Sequence, residues 1–103
     1  MAKTHRTHEE ASVEMFRNDP ELAAEYLNSV LADGDESDLM LALRSLSKAY
    51  GGVQEVARHA EVNAHTLYRT LSEQGNPELK TLSSILKAMG MRLAVQPINH
   101  VHG

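Results

Sequence analysis

Cysteine and tryptophan are absent from this chain, and aromatic residues are scarce. Only Phe16, Tyr26, Tyr50 and Tyr68 carry aromatic rings, so we expect a core built mainly of Leu, Val, Ala and Met. The lack of cysteine excludes disulfide bonds, thiol catalysis and cysteine metal ligands, and it suits a reducing compartment.

Long apolar runs are also missing. No run approaches the roughly 20 residues of a membrane span, and the first ten residues, MAKTHRTHEE, lack the apolar segment of a signal peptide. A length of 103 residues suffices for one domain with a single modest core. We therefore expect a soluble, cytoplasmic protein.

Acidic residues outnumber basic ones, which gives a net charge of −4. Ten acids and three bases lie in residues 1–43, whereas residues 44–103 carry four acids and seven bases. The acidic balance argues against strong non-specific DNA binding, because that affinity comes from neutralising phosphates. The basic half remains compatible with a specific nucleic-acid site, and the acidic half fits either a basic protein partner or a solvated surface.

Side chains with catalytic or metal-binding chemistry do not form a known motif. Of the six histidines, four lie close to the chain ends: His5, His8, His100 and His102. The sequence has no HExxH motif and no phosphate-binding glycine loop. We therefore predict no enzymatic activity, no metal site and no cofactor.

The stretch 52–75 predicts two short helices joined by a tight turn. In its first half, apolar residues recur at helical spacing: Val53, Val56, Ala57 and Ala60. Asn63 can cap the second helix, and we expect Gly75 to end it in a left-handed conformation. Leu67 and Leu71 form an apolar stripe on this second helix. The pattern predicts a helix-turn-helix whose polar side can enter a DNA major groove, although it also describes an ordinary packing pair.

Three further helices and one short amphipathic segment complete an all-α fold of about five helices. A short amphipathic segment over 9–17 precedes a helix that Asp19 and Pro20 start and Gly34 ends. Asp35 can cap the next helix, and after Asn76-Pro77 a last helix runs to Gly90.

The residues that follow change period. Met91, Leu93 and Val95 alternate with Arg92, Ala94 and Gln96 up to Pro97. This alternation predicts a short β-strand over 91–97. Because a lone strand leaves its backbone groups unpaired, we expect it to pair with a second copy of the chain or with a partner's sheet. The alternative is an extended tail on its own domain.

Several short motifs, in order, resemble the XRE-type addiction-module antidote proteins, a HigA-like group with a lambda-repressor-like DNA-binding domain. They are Asp19-Pro20-Glu21, Glu25-Tyr26-Leu27-Asn28, Gly51-Gly52, Glu55-Val56-Ala57-Arg58, Leu67-Tyr68, Gly75-Asn76-Pro77 and Ala88-Met89-Gly90. The likeness runs from about Glu10 to Pro97. Glu61 departs from it, because glycine is usual at this turn position.

The resemblance implies an antitoxin of a type II toxin–antitoxin module. Such a protein is expected to form a homodimer, to bind operator DNA, to repress its own operon and to neutralise a RelE-type toxin. Two alternatives are a stand-alone phage-type repressor and an interaction-only antitoxin with weak DNA binding. The expected organisation is a disordered arm (1–8), a helical extension (9–34), the DNA-binding domain (35–90), the strand (91–97) and a disordered tail (98–103).

The predicted DNA-contacting residues all lie on the two helices of this pair or at their ends: Gln54, Asn63, Ala64, His65, Thr66, Arg69 and Ser72. His65 and Arg69 can reach guanine, and Arg69 can instead hold a phosphate. Gln54 and Asn63 can position phosphates, although Asn63 can serve only as a cap. If Glu61 has a positive φ, it carries a backbone cost and places a carboxylate near the DNA.

Overall fold

The computed structural model describes residues 8–72 and 74–98, with side chains from Ala11 onward. Six helices form its regular structure: α1 His8–Asn18, α2 Pro20–Asp33, α3 Glu36–Ala49, α4 Val53–Ala60, α5 Ala64–Thr70 and α6 Leu79–Ala88. The all-α prediction is confirmed, with one more helix than expected. The predicted arm and tail lie outside the described residues, apart from His8 and Ile98.

Side-chain caps start α2 and α3 where the sequence predicts them. Asp19 accepts a hydrogen bond from the Leu22 backbone N–H at 3.2 Å, and Pro20 occupies the first helical turn. Asp35 accepts from the Asp38 N–H at 2.9 Å, and the Asp38 carboxylate accepts from the Asp35 N–H at 3.1 Å. This reciprocal capping box satisfies two donors that the helix itself cannot pair.

Schellman motifs end α3 and α6. Gly51 has a φ of 101° and Gly90 a φ of 79°, the left-handed region that a side chain disfavours. The bond that closes each motif runs from Gly52 N–H to the Ser47 carbonyl and from Met91 N–H to the Leu86 carbonyl, both at 2.8 Å. The predicted end of α6 at Gly90 is therefore confirmed to within the usual fraying of a helix end.

Helix α3 is the centre of the packing. It contacts α1, α2 and α4, while α4 also contacts α5 and α6. The largest fully buried side chains come from α3 to α6 and the turn after α5: Leu43, Leu46, Ser47, Val56, Leu67, Leu71 and Ile85. Ser47 is the one polar member of the described core, and its hydroxyl donates to the Leu43 carbonyl at 2.8 Å. The scarcity of aromatic residues thus gives an aliphatic core, as expected.

A ring stack and a hydrogen bond are among the contacts that hold helix α1 to the rest of the molecule. The rings of Phe16 and Tyr26 stack with centroids 5.1 Å apart, which joins α1 to α2. Arg17 Nε donates to the Ala49 carbonyl, 3.3 Å away at the end of α3. A guanidinium at this position satisfies a carbonyl that has no partner within its helix.

The predicted C-terminal strand is absent: residues 91–98 form no regular secondary structure. A strand needs a second strand to pair with, and the described part of this single chain supplies none. The segment instead lies beside α2 and α6, where Leu93 and Ala94 line a groove of about 330 Å³ together with Leu27 and Leu31. Val95 lies on the rim of this groove and is 99% exposed.

The expected C-terminal end of α5 is also corrected. The helix stops at Thr70, and Gly75 is not among the glycines with positive φ. A Cβ built on Gly75 would overlap the Thr70 backbone carbonyl. Glycine is therefore required here for a close backbone approach, because the chain folds back against the end of α5.

No helix in the described ranges combines the length and apolar character that crossing a membrane requires.

Candidate nucleic-acid interface

Helix α4 is strongly amphipathic, as its sequence predicts. Val53, Val56 and Ala57 are buried against the core. Gln54, at the second position of the helix, and Arg58 are exposed on the other side. The exposed face of α4 is therefore available to a partner, and Gln54 lies beside the free N–H groups of the first turn.

The turn between α4 and α5 consists of residues 61–63, and we refer to α4, this turn and α5 as the helix pair. Glu61 has φ 60° and ψ 41°, the only positive φ among the described non-glycine residues. The Val62 N–H bonds to the Ala57 carbonyl at 3.0 Å, which makes this end of α4 a third Schellman motif. Glu61 therefore does have the positive φ considered in the sequence analysis, and this conformation costs about 1–2 kcal/mol relative to glycine.

Helix α5 begins at the predicted cap. Asn63 Oδ1 accepts from the Thr66 backbone N–H at 3.0 Å, and the amide NH₂ remains available to donate to a ligand. Leu67 is 1% exposed and holds the helix to the core. Ala64 is half-buried and packs against the core, which favours a packing role over a contact with a thymine methyl.

The opposite side of α5 faces solvent and continues into the following turn. A shallow depression of about 550 Å³ is lined by His65, Tyr68, Arg69, Ser72 and Gln74. We call this the α5 surface. The structure thus brings together three of the predicted site residues, whereas Gln54, Asn63, Ala64 and Thr66 lie outside the depression. The role of all seven in binding DNA stays a prediction.

Gln74 is a member of this surface that the sequence analysis missed. The pattern places residue 74 inside a longer helix, but α5 ends at Thr70 and the chain then turns. This turn carries Gln74 to the edge of the depression. Within the same turn, the Ser72 hydroxyl donates to the Arg69 carbonyl at 2.7 Å, so its proton is engaged in closing the helix.

An ion-pair cluster neutralises the exposed face of α4. The Glu55 carboxylate accepts from the Arg58 guanidinium, with Arg58 Nε 3.3 Å away, and lies 2.9 Å from His59 Nε2. The hydrogen bond from Arg58 lowers the pKa of Glu55, and the same bond raises the pKa of Arg58. Two glutamates and two arginines cancel over residues 53–72. Arg69 is consequently the cation of the described helix pair that has no carboxylate partner.

Groups of three or more His, Asp or Glu side chains that could hold a metal ion are not found within the described residues.

The fold and the α5 surface define a small all-α protein with an exposed polar helix face that carries Arg69. Comparison with known proteins gives the family. Residues 8–97 match the model of a family described as "Probable addiction module antidote protein", and the chain belongs to this family. An uncharacterised protein of Haemophilus influenzae is 31% identical over 71 residues, which cover 69% of this chain and 72% of that protein. No solved structure matches the chain.

Membership of this family confirms the broader part of the resemblance. The protein is an addiction-module antidote, or antitoxin, and its partner is a toxin. Antidote proteins are generally not enzymes, in line with the prediction from the sequence.

Proposed function

We propose that this antitoxin binds operator DNA through the helix pair, which acts as a helix-turn-helix in a lambda-repressor-like domain, and thereby represses its own operon. The observation that carries the proposal is the two-sided character of α5. Leu67 anchors one side in the core, while His65 and Arg69 are exposed on the other. A recognition helix needs this division, because it must be held rigidly by the domain while its polar residues reach base edges.

Arg69 is the central contact in this proposal. Its guanidinium can bind guanine O6 and N7 in a bidentate manner or hold a phosphate. His65, one turn earlier, donates to a guanine acceptor, while Gln54 and Thr66 lie in first turns, where backbone N–H groups favour phosphate. Ser72 and Gln74 extend the α5 surface along the groove.

We further propose that the protein acts as a homodimer, because recognition helices of this class read two half-sites about 34 Å apart. The segment 91–97 supplies the contact by antiparallel pairing with its copy. With Leu93 opposite Leu93, each Met91 faces a Val95, so the three apolar side chains of both copies share one face. None of the residues that line the groove beside this segment belongs to the α5 surface. The dimer contact and the DNA contact can therefore form at the same time.

The toxin partner is proposed to be a RelE-type protein in the cytoplasm. Its binding surface on the antitoxin is assigned to the acidic half of the chain. Residues 1–43 carry ten of the fourteen acids, and α2 and the start of α3 expose Glu25, Asp33 and Glu36 among them. A basic toxin would be attracted to this half, which lies apart from the α5 surface in the sequence.

The test is a mobility-shift assay of the purified protein on the DNA upstream of its own reading frame, at two salt concentrations. Replacing Arg69 by Ala is expected to weaken specific binding by about 1–3 kcal/mol without changing helicity. Lys87→Ala, which removes an exposed charge from α6, is the matched control and should leave specific binding nearly unchanged. Equal affinity of Arg69→Ala and the native protein would contradict the proposal.

One observation favours an interaction-only antitoxin as the second candidate. The charges of the helix pair cancel, and one of its two carboxylates, that of Glu61, lies at the turn, so the general attraction to phosphate is weak. That candidate predicts neutralisation of the toxin by a folded dimer that shifts no upstream DNA. A stand-alone repressor is disfavoured because the family is one of antidotes.

A further inference from the structure

A cation from outside the helix pair lies next to the α5 surface. The guanidinium carbon of Arg44, on α3, is 5.4 Å from the centre of the Tyr68 ring. Tyr68 lines the α5 surface and is 41% exposed. Arg44 itself is half-buried, so its position is restricted by packing as well as by the ring.

Within the described residues, the Arg44 side chain forms no hydrogen bond, so its donors are available. A cation–π contact engages the charge of the guanidinium, and its five N–H groups can still donate to a phosphate. Within the described residues, no carboxylate forms an ion pair with Arg44. Arginine is the residue that combines ring stacking with bidentate binding of phosphate.

Arg44 matters because the helix pair itself offers few available cations to a phosphate. Arg58 is engaged by Glu55, which leaves Arg69 as the one cation of the described pair without such a partner. A DNA backbone that follows the α5 surface would therefore meet two available guanidinium groups, Arg69 on α5 and Arg44 on α3. Phosphate contacts of this kind fix the orientation of a protein on the duplex without reading its sequence.

We propose that Arg44 is a phosphate-binding residue of the DNA interface, and that its cation–π contact with Tyr68 positions the guanidinium for this role. This inference rests on the proposed DNA-binding function. It adds a residue of α3, outside the helix pair, to the binding surface. It also gives Tyr68 a role as a positioning residue for Arg44, in addition to its packing.

The salt dependence of DNA affinity tests this role. Fluorescence anisotropy would measure binding to the upstream DNA and to a duplex of random sequence between 50 and about 200 mM salt. Arg44→Gln is expected to reduce the slope of log K against log salt by about one per bound chain on both duplexes. At about 0.1 M salt this corresponds to a loss of affinity of roughly fivefold to tenfold, which shrinks as the salt concentration rises.

Further variants separate charge from structure. Arg44→Met keeps an apolar stem beside Tyr68 but has no charge, and it should reproduce the reduced slope. Arg44→Lys retains the charge and should retain the native slope. Lys87→Gln is the control for the loss of one positive charge elsewhere, and its slope should stay close to the native one. Helicity and the thermal midpoint would be recorded for each variant.

Each outcome bears on a defined claim. A native slope in both Arg44→Gln and Arg44→Met, with binding still lost in Arg69→Ala, would overturn the role of Arg44 and leave the proposed function intact. An equal fall in slope for Lys87→Gln would also overturn it, because the effect would then reflect net charge alone. If the native protein binds neither duplex, both proposals fall.

Discussion

Three residues in the described chain occupy the left-handed C′ position of a Schellman motif, and only one of them has a side chain. Gly51 and Gly90 meet the requirement without strain, whereas Glu61 has a Cβ that crowds the neighbouring backbone. The position lies between the two helices proposed to bind DNA. Strain of this kind persists where the surrounding packing fixes the backbone.

Replacing Glu61 by Gly is expected to raise the free energy of unfolding by about 0.5–1 kcal/mol. The gain is the relief of the left-handed strain, reduced by the greater freedom of glycine in the unfolded chain. Chemical denaturation monitored by circular dichroism measures the change. Glu61→Ala separates the two effects, because it removes the carboxylate but keeps the Cβ, and it should give no comparable gain.

Gly90→Ala is the control in the opposite direction, because it adds a Cβ at a left-handed position and should lower the free energy of unfolding. A Cβ at Gly90 would meet no atom within 4 Å, so a loss of stability there reports backbone strain rather than a clash. A gain at Glu61 without a corresponding loss at Gly90 would mean that the left-handed backbone is not the cause.

Local rules predict single residues well where one turn of helix decides their role. Asp19, Asp35 and Asn63 are caps in the structure as in the sequence, because a cap depends only on the next three residues. Arg44 and Gln74 could not be placed on the α5 surface in this way. Their positions depend on how α3 packs against α5 and on where the chain turns after Thr70.

Helix α3 begins with a capping box and forms the centre of the packing, so the loss of its cap should affect the whole fold. Asp35→Ala is expected to lower the free energy of unfolding by about 1 kcal/mol, because it leaves the Asp38 N–H without its acceptor. The thermal midpoint would fall accordingly. Asp33→Ala, an exposed acid at the end of α2, is the matched control, and an equal loss in both variants would rule out a specific capping effect.

Helical periodicity predicts α2, α3, α4 and α6 correctly, but it fails where the outcome depends on distant contacts. The apolar spacing of Leu67 and Leu71 continues past Thr70, so the sequence alone extends α5 too far. Leu71 remains fully buried although it lies beyond the helix. The alternation over 91–97 likewise predicts a segment that can pair as a β-strand, but the described single chain offers no second strand for it.

For the whole molecule, the proposed pairing of residues 91–97 predicts a dimer that one surface substitution disrupts. Val95 is 99% exposed in the single chain, so Val95→Glu should leave the fold and its thermal midpoint unchanged. In the dimer the new carboxylate would lie beside Met91 of the other copy, where burying a charge is costly. Sedimentation equilibrium should therefore show a shift from dimer to monomer.

Gln96→Glu is the control for this experiment, because it introduces the same charge at the next, also exposed position. In the proposed pairing, residue 96 lies on the opposite side of the ribbon from Val95. It should remain a dimer. A dimer that survives both substitutions would show that the copies associate through another surface.

The order in which the helices pack has a consequence for folding kinetics. Each helix from α1 to α4 contacts the next along the chain, and the contacts of α1 with α3, α3 with α5 and α4 with α6 skip a single helix. Contacts between such close neighbours close short loops, and domains of this kind fold in microseconds to milliseconds. We expect a newly synthesised or unfolded antitoxin to regain its structure within this time. The amount of folded antitoxin would then be limited by the rate of its synthesis rather than by the rate of its folding.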